Sequence, residues 1–195
     1  MSKSEIALRK LNRPLRVSEA VRLGIPPAAL YALEAQGKAE RLERGVFVAT
    51  DLHPLKHPDL AVAALRAPRA VVCLESALFF HDMATHIPSS VSVAVQRGDH
   101  RPRGTSPPVT AYSFSSRSYA SGVETHMLDG VCVKIYSREK TLADCFKFRN
   151  RVGMDIVLEA LHDYCSGPRR VDELLRQARA CRMEQVMRPY LEAVL

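Results

Sequence analysis

The stretch "VKIYSREKTLADCFKFRNRVG", Val133 to Gly153, gathers Glu139, Lys140, Asp144, Lys147, Arg149 and Arg151 into a few helical turns. An acid opposite a Glu-x-Lys on a neighbouring strand is the kit of a magnesium-dependent nuclease. Asp129 and Lys134 supply two of its parts. The residue two before Lys134 is Cys132, and a hard divalent ion needs oxygen ligands there. The set is one carboxylate short. A second group, Glu75, His81, Asp82 and His86, has the residue types of a zinc site. Its histidines stand five apart, whereas a helical zinc pair stands four apart. These histidines are read as structural. No glycine-rich phosphate loop, no GxSxG elbow and no Cys/His nucleophile pattern occurs. The expectation is a protein that is not an enzyme and has no catalytic residues, metal or cofactor.

The charged cluster has an ordinary reading. Ser137 suits a helix N-cap, and Glu139 in the first turn favours the helix dipole. Leu142, Cys145, Phe146 and Phe148 supply apolar faces. Glu139 and Lys140 then point elsewhere, and Asp144 and Lys147, three apart, pair on the surface.

The elements around it follow from composition and period. The chain has 195 residues, 47% of them hydrophobic, enough for a real core. No apolar run approaches membrane-spanning length, and "MSKSEIALRK" lacks the apolar core of a secretory signal, so the expected location is cytoplasmic. The five cysteines are odd in number and form no CxxC, which suits structural thiols. The formal net charge is +7, with 9 Lys+Arg against 5 Asp+Glu in the first 50 residues. A basic excess there suits a polyanion.

Those 50 residues predict three short helices and a hairpin. Ile6, Leu8 and Leu11 share a face in "SEIALRKL"; Val17, Ala20, Val21 and Leu23 carry the next segment to a stop at Gly24. A third helix starts at Pro27, with Leu30 and Leu33 inward, and ends at Gly37. "KAERLERGVFVAT" then turns at Arg44-Gly45. Helix, turn, helix and hairpin are the order of a winged helix-turn-helix, whose second helix enters the major groove. Prolines at 54 and 58 mark a junction. The chain divides on this reading into a DNA-binding domain at 1–50, a linker at 51–58 and an α+β domain at 59–195. In the last, strands read from "SVSVAVQ", "VTAYSFS", "GVETHML" and "VCVKIYS" precede helices near 138–149, 154–164, 171–180 and 184–194. Leu128-Asp129-Gly130-Val131 signals a two-residue hairpin turn, and "RGDHRPRGTSPP" a polar loop.

Three stretches carry a resemblance. "GIPPAALYALEAQGKAERLERGVFVAT", "VVCLESALFFHDM" and "VKIYSREKTLADCFKFR" resemble AbiEi-type antitoxins, the antitoxin and autorepressor halves of type IV toxin-antitoxin systems. The resemblance implies an N-terminal winged helix that binds double-stranded DNA in its own promoter. It further implies a C-terminal domain that counters a nucleotidyltransferase-like toxin, with or without direct contact. The DNA-binding set is then Arg16, Pro27, Ala28, Tyr31, Lys38, Arg41 and Arg44, with the hairpin arginines on phosphates. Pro26 and Pro27, followed by Ala28 and Ala29, stand where related helices carry Ser/Thr and a basic residue. Base readout by Arg or Asn is therefore poor, leaving shape and backbone contacts. The alternatives are a protein-interaction module with a vestigial winged helix, or a metal-dependent nuclease.

Overall fold

The computed structural model describes residues 1–51, 54–102 and 106–194. The chain forms two compact units: Met1–Arg69, Gly104–Pro107 and His126–Val133 make up unit 1, and Ala70–Arg103, Pro108–Thr125 and Lys134–Leu195 make up unit 2. Residues 51–58, expected as a linker, fall inside unit 1, although Leu52 and His53 lie outside the described residues.

Unit 1 begins with α1 (Lys3–Leu11), capped by the Ser2 hydroxyl, which accepts the Glu5 N–H at 3.1 Å. A two-residue strand, β1 (Leu15–Arg16), leads into α2 (Val17–Arg22). Gly24, at φ +80°, turns the chain so that the Ile25 N–H reaches the Ala20 carbonyl at 2.9 Å. That left-handed step ends α2 as the sequence predicts. Then come α3 (Pro27–Ala35), β2 (Ala39–Glu43) and β3 (Val46–Ala49), in a sheet ordered β1-β3-β2. The strand β1 is too short to show a period of its own and is not legible before the fold is known. The core joins Leu8, Leu15, Ile25, Leu30, Leu33 and Phe47, each worth roughly 1.5–3 kcal/mol of burial. The first helix is rotated from its predicted face: Ile6 is 51% exposed and Glu5 is buried in its place. Val21 and Leu23 are likewise exposed. The unit also holds α4 (Pro58–Arg66), where the Lys56 and His57 N–H groups donate to the Asp129 carboxylate at 2.9 and 2.8 Å.

The strands β4 (Val71–Val72), β5 (Val91–Gln96), β6 (Val109–Phe114), β7 (Val123–Leu128) and β8 (Val131–Tyr136) form a five-stranded sheet in the order β6-β5-β4-β8-β7, and unit 2 holds all of it except His126–Val133. The turn of the β7–β8 hairpin belongs to unit 1, and its two central residues, Asp129 and Gly130, have φ of +49° and +74°. Those angles make it the primed turn expected of Asp-Gly. The helices are α5 (Leu74–Phe80), α6 (Ser116–Ala120), α7 (Arg138–Lys147), α8 (Arg149–Val152), α9 (Met154–Ser166), α10 (Val171–Cys181) and α11 (Glu184–Val194). The chain is α+β, as its pattern of strands followed by helices predicts.

The central element of unit 2 is α7, and its position corrects the surface reading of the charged cluster. Every residue from Glu139 to Phe146 is buried. Lys140 and Asp144 form an ion pair one turn apart, both at 0% exposure. Each polar member has a partner from another part of the unit. Glu139 accepts two bonds from Arg170, at 3.1 and 3.0 Å, and one from the Tyr164 hydroxyl at 3.3 Å. The Lys140 ammonium donates to Ser118 Oγ at 3.3 Å and lies 4.6 Å from the Tyr136 ring centre. The Cys181 thiol donates to Asp144 at 3.1 Å. Burial raises the Asp144 carboxyl above its ordinary range, against the pull of Lys140. Gly122, at φ +67°, is where the chain passes closest: a Cβ there would stand 2.5 Å from the Lys140 Cβ.

Candidate nucleic-acid interface

The exposed surface of α3 begins with Pro26 and Pro27 and continues along Ala28, Tyr31, Ala32 and Ala35, spaced i, i+3, i+4 and i+7. Leu30 and Leu33 on the opposite side hold the helix to the core, and Tyr31 packs edge-on to Phe47 at 5.4 Å between ring centres. Pro27 has no N–H, and the Ala29 N–H already donates to the Pro26 carbonyl at 3.0 Å. The start of α3 is therefore a poor anion cradle. The three predicted residues Pro27, Ala28 and Tyr31 do lie together on one exposed face.

The predicted cations divide differently. Lys38 donates to the buried Glu5 carboxylate at 2.9 Å, and Arg9 approaches the same group at 3.5 Å. Arg41 pairs with Glu34 at 3.1 Å, and Arg13 with Glu19. Glu43 is paired with Arg66. Four of the five carboxylates in the first 50 residues are thus already matched. Among the described residues, Arg16, Arg22 and Arg44 have no carboxylate partner. Arg16 makes a long bond to the Leu65 carbonyl, 3.4 Å. The Val17 N–H donates to the Gly45 carbonyl at 2.9 Å, which ties the hairpin turn to the start of α2. Arg16 and Arg44 therefore flank one junction. Arg16 and Arg22 also line an open cavity of about 410 Å³ that includes Arg13, Glu19, Met127 and Cys132.

Arg22 is a candidate that the sequence does not single out. Nothing in its neighbours distinguishes it from Arg13; the difference lies in the carboxylate, Glu19, that the fold brings to one of them. The Arg41–Glu34 pair is half exposed, so opening it costs about 0–1 kcal/mol, and phosphate could compete for Arg41. The Lys38–Glu5 contact is a tie within the fold. The Lys38 ammonium holds the Glu5 carboxyl below its ordinary value of 4.5. A depressed carboxyl stabilises the fold above that value, and the benefit fades as pH falls through the lowered one. Lys38→Met is therefore expected to lower the melting temperature at pH 7 and to lower it progressively less as pH falls below 4.5. A deficit that stays constant with pH would remove the pair from the account.

The other flagged groups have partners or lie apart. The His81 ring Nε2 bonds the Tyr136 carbonyl at 2.7 Å, and Asp129 is occupied by backbone N–H groups. Among the described residues no three His, Cys, Asp or Glu side chains converge as a metal site would require. Cys73, Cys145 and Cys181 are buried, with burial pushing the first two thiols up, whereas Cys132 is exposed. Arg170, Arg176 and Arg179 are held by Glu139, Glu173 and Glu184.

Residues 5–50, the span that carries α1 to β3, match the family described as "Transcriptional regulator, AbiEi antitoxin". Over this span the chain is AbiEi-like. The AbiEi-like segment contains the whole of the α3 face and the three arginines that lack a carboxylate. No curated protein matches the chain. Among solved structures, the RV2827C protein from Mycobacterium tuberculosis superposes with a TM-score of 0.61 at 9% identity, covering 97% of this chain and 79% of that one. At that identity the likeness is one of fold. No helix among the described residues is long and apolar enough to cross a membrane.

Proposed function

We propose that the protein is a DNA-binding antitoxin and autorepressor of a type IV toxin-antitoxin system. Its winged helix binds double-stranded DNA in its own promoter, and its α+β remainder counters a nucleotidyltransferase-like toxin. The observation that carries the DNA part is the set Arg16, Arg22 and Arg44, without carboxylate partners in a helix-turn-helix whose other arginines are matched. Unmatched cations are the groups that release counterions from a phosphate backbone. The AbiEi-like match over residues 5–50 supports the same reading. Pro27, Ala28 and Tyr31 face the groove, Arg16, Arg22 and Arg44 hold phosphates, and Arg41 joins them if it leaves Glu34.

A second reading has one specific observation in its favour. The exposed face of α3 carries no cation, which suits a protein-interaction module that has kept a winged helix. A gel shift of the full chain on its own upstream DNA separates the two. Specific retardation that weakens steeply with salt is expected; no retardation at 50 mM salt would leave the interaction module. Growth rescue by the full chain against the toxin encoded beside it tests the antitoxin role independently.

A further inference from the structure

We infer that the cavity lined by α2, the end of α4 and the β7–β8 hairpin is a binding site for a small phosphate monoester with an apolar body. Every residue that lines it belongs to unit 1. The site itself does not rest on the DNA-binding reading above; its effect on DNA does.

Three segments build the cavity, whose volume of about 410 Å³ falls in the range of small-molecule sites. The first brings Arg13, Arg16, Ser18, Glu19 and Arg22. The second, at the end of α4, brings Ala64, Leu65 and Pro68, and the hairpin brings Met127 and Val131. The charges thus come from one segment and the apolar groups from the other two. The lining is set before a ligand arrives. The Asp129 carboxylate accepts the Lys56 and His57 N–H groups, which ties the hairpin turn to the start of α4. Gly130 packs against Arg13 so closely that a Cβ there would stand 2.7 Å from the Arg13 Cβ.

Three guanidinium groups share this lining with one carboxylate. Arg13 already engages it: the side chain pairs with Glu19 and also donates to the Pro14 carbonyl at 3.1 Å. Among the described residues, Arg16 makes only the long bond to the Leu65 carbonyl, 3.4 Å, and Arg22 has no partner. Two positive charges therefore border one cavity without neutralisation. Like charges repel, and a bound dianion removes that cost. A phosphate monoester carries close to two negative charges at neutral pH, and its oxygens suit the fork of a guanidinium. The Ser18 hydroxyl adds a further donor. The apolar segments take the body of the molecule, which inorganic phosphate lacks. Arg16 and Arg22 are also the groups assigned above to DNA phosphates. On that reading ligand and duplex are alternatives, and the ligand releases the protein from DNA.

The test is calorimetric titration of the full chain at neutral pH with phenyl phosphate and with inorganic phosphate. Phenyl phosphate is expected to bind at one site, about ten-fold more tightly than inorganic phosphate. R22A should weaken phenyl phosphate about 10- to 100-fold, as for a lost bond to a charged group, while its melting temperature stays that of the parent. R44A removes an arginine that does not line the cavity and should bind the probe as the parent does. Equal weakening by R22A and R44A would reduce the effect to net charge and overturn the site. Equal affinity for the two phosphates would overturn the apolar half of the assignment. No binding of phenyl phosphate by a chain that still retards its upstream DNA would overturn the site and leave the DNA reading standing. Binding by a chain that retards no DNA would support the site and overturn the DNA reading. Where both bind, saturating phenyl phosphate should weaken the retardation; unchanged retardation would overturn the shared use of Arg16 and Arg22.

Discussion

Lys140→Met is expected to destabilise unit 2 by about 3–5 kcal/mol, because it leaves the Asp144 carboxylate buried without its counter-charge. Asp144 sits at 0% exposure, and the Cys181 thiol is then its remaining side-chain donor. The double variant Lys140→Met/Asp144→Leu removes both charges and should recover most of the loss, since buried pairs are often replaceable by apolar side chains of similar volume. Acid should help the single variant. A carboxyl raised above its ordinary 3.8 binds its proton more tightly when folded. The penalty is therefore full above the raised value and fades as pH falls toward 3.8. Urea unfolding followed by tyrosine fluorescence reads this unit well, because five of the six tyrosines lie in it and the chain has no tryptophan. A single variant within about 1 kcal/mol of the parent, or a double variant no better than the single, would show that the pair does not hold α7 in place.

Removing Arg16, Arg22 and Arg44 together should lower affinity for every duplex on the order of a hundred-fold, and the salt slope by roughly 2.7, at about 0.9 per phosphate contact. The matched control is Arg176→Ala/Arg179→Ala/Arg188→Ala. Those three arginines carry the same formal charge but are held at 2.7, 2.9 and 3.4 Å by Glu173 and Glu184. The control should leave the slope unchanged. Equal effects of the two sets would mean that net charge alone governs binding, and that carboxylate pairing within the fold is a poor guide to which cations reach DNA. Titration of binding against salt, from 50 to 200 mM, separates these outcomes.

Much of the scaffold is legible in the sequence because it depends on local spacing. Leu30 and Leu33 mark the inner face of α3, Gly24 its preceding turn, and Asp129-Gly130 a hairpin, each through contacts within a few residues. The helices after Ser137 begin and end within a few residues of where their periodicity places them. What escapes depends on partners far along the chain. Glu5 rather than Ile6 is buried because Lys38, 33 residues later, meets it. Glu139, Lys140 and Asp144 look like surface charges in sequence because their partners, Arg170, Ser118 and Cys181, lie 31, 22 and 37 residues away. The same holds for the proposed DNA face. Its outline, α3 and the hairpin, is visible from the order of elements, but its available cations are not. Arg22 and Arg13 look alike in sequence, and only the folded chain brings Glu19 to one of them.

The burial of Glu139 to Phe146 in α7 separates lineage from contact. The "EKTLAD" stretch shows no side chain to a visitor: its charges are spent on Arg170, Ser118 and Cys181. Two proteins that share it share an internal frame, and nothing in that frame obliges them to meet the same partner. Whatever distinguishes one partner from another must be written on the outward faces of the surrounding helices, in residues free to drift while the frame is kept.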